Sequence, residues 1–130
     1  MDIRKHAVSP TTTLELRDAT DQLMGGVTVT LYGPGSKQYA KAQAAQQNRM
    51  IDKMKRKGKS DQTAEQNASE KAEFLADCTE SFTNLEYDGL TGRALAIAVY
   101  SDLTIGFIAD QVNAHLSDWS NFTKPSTTNS

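Results

Sequence analysis

The sequence predicts an α+β fold, mostly α, in which an N-terminal β-hairpin is followed by about four helices. Three observations predict it. Leu14 and Leu16, and then Val27, Val29 and Leu31, alternate with polar neighbours at the two-residue period of half-buried strands. Residues 37–57 contain no Pro or Gly and are rich in Ala, Gln, Lys and Arg, all good helix formers. Ile105, Ile108, Val112, Leu116 and Trp119 then recur at helical spacing. With 130 residues the chain fits one domain. Residues 1–12 are expected as a flexible arm and 13–122 as the domain (13–32 the hairpin, 37–122 the helical part). Residues 123–130 are expected as a flexible tail.

In chain order, Thr13–Arg17 is the first predicted strand, and 18–26, ending in Gly25-Gly26, supplies the turn. Val27–Tyr32 is the second strand. Gly33, Pro34, Gly35 and Ser36 form a rigid corner, since Pro34 fixes its own φ and Ser36 is placed to cap a helix from Lys37. Gly35 is expected there for its tolerance of positive φ. The first helix carries a thin stripe of Tyr39, Ala42, Met50 and Met54, with Arg49, Lys53 and Arg56 on its flank. After a break at 58–61, a second helix is predicted over about 62–83. It would bury Ala64, Ala68, Leu75, Cys78 and Phe82, with Glu70, Glu73, Asp77 and Glu80 on the opposite, solvated face. Residues 84–92 are turn-rich, 93–100 form a short helix burying Leu95, Ala98 and Val99, and the last helix runs from about Thr104 to Trp119.

Charge is unevenly distributed. Residues 1–60 hold eleven Lys and Arg against five acids, and residues 61–130 hold three against eleven. A basic front half and an acidic back half suit head-to-tail contacts between copies, which close into rings or continue as spirals. Arg49, Lys53 and Arg56 of one copy are accordingly expected against Glu73, Asp77 and Glu80 of the next. The alternative is that the two helices neutralise each other within one chain. The N-terminus has no apolar leader and no run is long enough to span a membrane, so a cytoplasmic protein is expected.

Residue chemistry offers no catalytic signature, and neither an enzyme nor a cofactor is expected. Gly33–Lys37 sits where phosphate loops sit, but Ser precedes Lys and the loop is too short to wrap a phosphate. His6 and His115 have no companion ligands at metal spacing. The single Cys78 reads as a packed thiol, and no local signature supports a Cys78–His115 nucleophile pair. The basic run Lys53–Lys59 is the best nucleic-acid candidate. It has no aromatic to stack on a base, and the whole chain is acidic with a pI near 5.6, so nucleic acid is not an expected partner.

Four pieces of the chain carry a resemblance: Leu14-Glu15-Leu16, VTVTLYGPGSKQY from Val27 to Tyr39, YSDLTIGFIADQV from Tyr100 to Val112, and Asp118-Trp119-Ser120-Asn121-Phe122. Together they resemble the tail assembly chaperones of long-tailed phages, most closely those of lambda-like coliphages with non-contractile tails, over about 12–122. The resemblance implies a non-enzymatic protein of the infected host's cytoplasm, absent from the finished virion. Such a protein would coat the tape measure protein, help recruit tail tube subunits and associate with itself into rings or spirals. It also implies that a longer, frameshifted product can accompany the short one. Two alternatives of other classes stand beside it: a small nucleic-acid-binding regulator using the basic helix end, and a structural tail component such as a tube or terminator subunit.

Overall fold

The computed structural model describes residues 1–57 and 64–123, without the side chains of 56–57 and 64–67. The fold is α+β and mostly α. Three antiparallel strands, β1 (Thr11–Arg17), β2 (Leu23–Tyr32) and β3 (Thr79–Thr83), form one sheet in the order β1-β2-β3. The helices are α1 (Lys37–Lys57), α2 (Ala64–Asp77), α3 (Gly92–Ser101) and α4 (Gly106–Leu116). Sheet and helices share one core. Leu16, Val29 and Leu31 enter it from the sheet, Leu75 from α2, Val99 from α3, and Val112 and Leu116 from α4. The opposite sheet face is hydroxyl-rich, with Thr13, Thr30, Ser81 and Thr83 on it, and Thr13 and Thr30 meet across the strands at 3.3 Å.

The hairpin turn lies earlier than its glycines suggest. The Asp18 carboxylate accepts from the Thr20 amide, the Thr20 hydroxyl and the Gln22 amide, and Asp18 N–H reaches the Gln22 carbonyl at 2.8 Å. The Thr20 hydroxyl first, then the two amides, hold that carboxyl below its usual pKa. The chain therefore reverses over 18–22, and Gly25 and Gly26 fall inside β2, where the register with β1 slips between Glu15 and Arg17.

Residues 79–83, expected as helix, form a strand instead. The helix ends at Asp77. Cys78 N–H closes its last turn on Phe74 and Leu75, and the Thr79 hydroxyl donates to the Leu75 carbonyl. Thr79–Thr83 then pairs with β2. Phe82 lies four residues beyond Cys78, a helical spacing, but here it stands opposite Val29 and against Tyr100. The unpaired side of β2 needed a partner, and that tertiary demand outweighed the local period. The last helix also stops short. The Asp118 carboxylate caps a separate 3₁₀ turn, Trp119–Phe122, which leaves Trp119 exposed and off the apolar stripe.

The corner caps as expected. The Ser36 hydroxyl donates to the Gly33 carbonyl at 2.7 Å and accepts the Tyr39 amide at 3.1 Å. Its glycines have a different rationale, because neither Gly33 nor Gly35 has a positive φ. Both permit close approach instead. A Cβ on Gly33 would overlap the Phe122 ring, and one on Gly35 would lie 2.8 Å from Val8 Cγ2. The first residues are tied into this closure. Ile3–His6 is a 3₁₀ turn, Ser9 N–H donates to the Phe122 carbonyl at 2.6 Å, and Gly33 N–H donates to that of Pro10 at 2.8 Å. The strand consequently starts at Thr11, ahead of where alternation alone begins it. Residues 58–63 and 124–130, including the expected second helix cap and most of the expected tail, lie outside the described residues.

Gly33→Ala is expected to destabilise by about 1–3 kcal/mol, the usual cost of overpacking. Combined with Phe122→Leu it should cost less than the two single changes together, as read from urea midpoints. His115 predicts a pH dependence. Its ring packs on Phe122 with centroids 5.7 Å apart and its Nε2 is buried without a hydrogen bond. Burial lowers its pKa below the ordinary value, with Asp118 pulling the other way. The folded state thus favours neutral imidazole, and stability should decline as pH falls below about 6.5, where the unfolded chain protonates. His115→Gln should flatten that slope in pH-dependent thermal melts.

Candidate functional site

Two surfaces of α1 form the candidate site, and the helix period separates them. The inner face turns Ala42, Arg49 and Lys53 to α2. Arg49 Nε lies 3.5 Å from Glu73 and its Nη1 3.9 Å from Asp77, Lys53 Nζ meets Glu70, and Arg93 Nε donates to Asp77 at 2.9 Å. Five charged side chains from α1 and α2, with Arg93 from α3, therefore form one seam. The carboxylate row expected to face solvent instead faces α1. Ala42, small and fully buried, lies on the same side of α1 as Arg49 and Lys53 and lets the helices come close. Nearer the corner the seam becomes apolar, where Tyr39 meets Phe74 edge-on at 5.6 Å.

The residues expected to pair between copies are thus distributed as follows. Arg49, Glu73 and Asp77 meet within one chain, and Lys53 takes Glu70. Glu80 leaves the group altogether, because it sits on β3 and not on a helix. Arg56 falls among the side chains that are not described. Half-buried pairs of this kind contribute modestly, since desolvation offsets much of the attraction. Arg49 is 24% exposed, and two of its guanidinium nitrogens lack a well-aligned hydrogen bond. The seam therefore positions α1 more than it stabilises it.

The outer face was missed as such in the sequence, where Met50 and Met54 read as one thin stripe together with Tyr39 and Ala42. They lie on the side away from α2, half-exposed and 63% exposed, with Ile51 about half-exposed beside them. The spacing of Arg49 and Lys53, one residue before each methionine, carried the missed signal. If the ion pairs face in, the methionines must turn out. The last turns of α1 thus carry an apolar outer stripe.

Other candidate chemistry is accounted for. Cys78 is fully buried, and burial pushes its thiol up to about 12, away from nucleophilic use. No hydrogen bond joins it to His115, and no group of His, Cys, Asp or Glu among the described residues is arranged to hold a metal. Gly33–Ser36 turns its hydrogen bonds inward, with Ser36 buried as a helix cap. No single helix among the described residues is long and apolar enough to cross a membrane. Comparison with family models, with curated proteins and with solved structures finds no match.

Arg49→Glu is expected to cost about 1–3 kcal/mol, because it sets like charges together in a half-buried seam. The swapped pair Arg49→Glu with Glu73→Arg should recover about half of that loss, measured as the coupling energy of a double-mutant cycle in urea unfolding.

Proposed function

We propose that this protein is a non-enzymatic phage tail assembly chaperone that acts in the host cytoplasm. In this reading it binds the tape measure protein, helps bring tail tube subunits to it and associates with its own copies. One observation carries the proposal beyond the sequence resemblance: the row of Met50, Ile51 and Met54 on the outer face of α1. Flexible thioethers adapt to partners whose surfaces vary, which suits a client presenting many different apolar helix faces. A helix laid alongside this row would meet Met54 together with Met50 four residues before it and Ile51 three before it, the i+3 and i+4 spacing of helix-on-helix recognition. Among the described residues the inner face of α1 already meets α2, so the outer row is free for a partner.

The ion-pair seam also bears on the alternative of nucleic-acid binding. Arg49 and Lys53 direct their charge to carboxylates of α2, which reduces what this stretch offers a phosphate backbone.

Co-expression with the tape measure protein of the same phage tests the proposal. The wild-type chain should raise the soluble yield of the tape measure and co-purify with it. Met50→Glu combined with Met54→Glu should reduce the co-purified amount about tenfold, a change of about 1.4 kcal/mol. The substituted positions are exposed, so the far-UV circular dichroism and melting temperature should stay close to wild type. A tape measure that stays insoluble with the wild-type chain, or binds the double variant equally well, would contradict the proposal.

A further inference from the structure

Edge strands leave a row of backbone donors and acceptors unpaired, and folds cover them or blunt them. This sheet has two edges, treated differently. On β1 the Gln111 side chain imitates a neighbouring strand: its Oε1 accepts the Arg17 amide at 2.8 Å, and its Nε2 donates to the Arg17 carbonyl at 2.7 Å. The other end of that edge is closed where Ser9 bonds Phe122. Among the described residues the β3 edge has no such cover. Gly33 N–H pairs with Pro10 and Tyr32 N–H with Cys78, which fixes the alternation along β2. Val29 therefore faces β1, and its neighbour Phe82 turns its own N–H and carbonyl to the open side. Among the described residues, no backbone group of the 84–91 loop bonds to it.

That loop stands off and forms the far wall of a cleft of about 670 Å³ along β3. The wall is held in place. The Tyr87 hydroxyl donates to Asp102 at 2.7 Å, and the Arg93–Asp77 pair closes one end. Leu85 and Leu90 give the cleft apolar footing, while Glu80 and Glu86 are exposed and make no ion pair among the described residues. The cleft thus combines an unpaired strand edge, apolar side chains and surplus negative charge. It suits an extended segment bearing apolar and basic residues.

The chain itself carries one. Met1 and Ile3 are exposed, among the described residues Arg4 has only its neighbour Asp2 for a counter-charge, and Lys5 follows. The Ile3–His6 turn is a single, wholly exposed turn with little to hold it. Val8, which packs beneath Gly35, and Ser9 anchor the chain behind it. Extended, the seven residues ahead of Val8 reach about 23 Å, enough to run the roughly 17 Å of a five-residue strand. We propose that residues 1–7 of one copy add as a strand to the β3 edge of a second copy, with Arg4 and Lys5 against Glu80 and Glu86. Each copy then gives an arm and receives one, a head-to-tail contact that closes into a ring or continues as a spiral. This contact gives a place to the self-association proposed above and does not use the client-facing Met50–Met54 row.

Charge-swap complementation between full-length chains tests it, with mass followed by sedimentation over a concentration series. Wild type should associate as concentration rises. Arg4→Glu with Lys5→Glu should weaken association about tenfold or more, and so should Glu80→Lys with Glu86→Lys. Mixing the two variants should restore it, because each arm then meets a cleft of opposite charge. All four positions are exposed, and circular dichroism should confirm that both variants keep the fold. A wild type that stays monomeric, variants that associate like wild type, or a mixture no better than its components would each overturn the proposal. The monomeric outcome, with the arm shielded from proteolysis, would mean that it occupies its own cleft.

Discussion

Phe122 lying on Gly33 is the contact through which the rest of the structure is closed. It joins the last described turn to the corner between the hairpin and α1, with 1% of Phe122 left exposed. The same residue's carbonyl receives Ser9, so the start of the chain is held at the same point. One aromatic ring thereby fixes the direction of α1 relative to the sheet, the entry into β1 and the exit from α4. Only a residue without a side chain can lie beneath it, which makes the glycine a packing requirement and not a conformational one.

Much of this architecture was legible in the sequence, and the departures share a physical cause. The hairpin, α1, α3 and the start of α4 follow from alternation, helix-forming composition and apolar period, which are local properties. The Ser36 cap was legible too, since a hydroxyl before a run of helix formers has one evident use. β3 was hidden because its assignment depends on the vacant side of β2, far away in sequence. Phe82 at a helical distance from Cys78 made the wrong period look continuous. The glycines at 25 and 26 misled in a similar way: Asp18 reversed the chain before they could. At Gly35 the residue type was read correctly and its reason was not, because the reason is Val8.

The candidate surfaces divide along the same line. Sequence identified both charged faces and the alternative that they meet within one chain, but composition cannot choose between a neighbouring helix and a neighbouring copy. The structure forms the pairs internally for Arg49, Glu73 and Asp77. That arrangement rotates α1 about its axis and brings Met50, Ile51 and Met54 outward. A charge pattern thus determined which apolar residues reach solvent, although it said nothing of them directly. The proposed client surface is a by-product of satisfying the ions.

The unequal anchoring of α1 has a further consequence for its motion. Its first turns are fastened by the Ser36 cap, the buried Ala42 and the Tyr39–Phe74 contact. Toward Lys53 the contacts among the described residues are the ion pairs with α2, which salt screens in part because they are only partly buried. Protection against local opening therefore grades along a single helix, high at the corner and low at the methionine row. The root of the helix is thus held by the core, while its far end rests on charges whose hold depends on the medium.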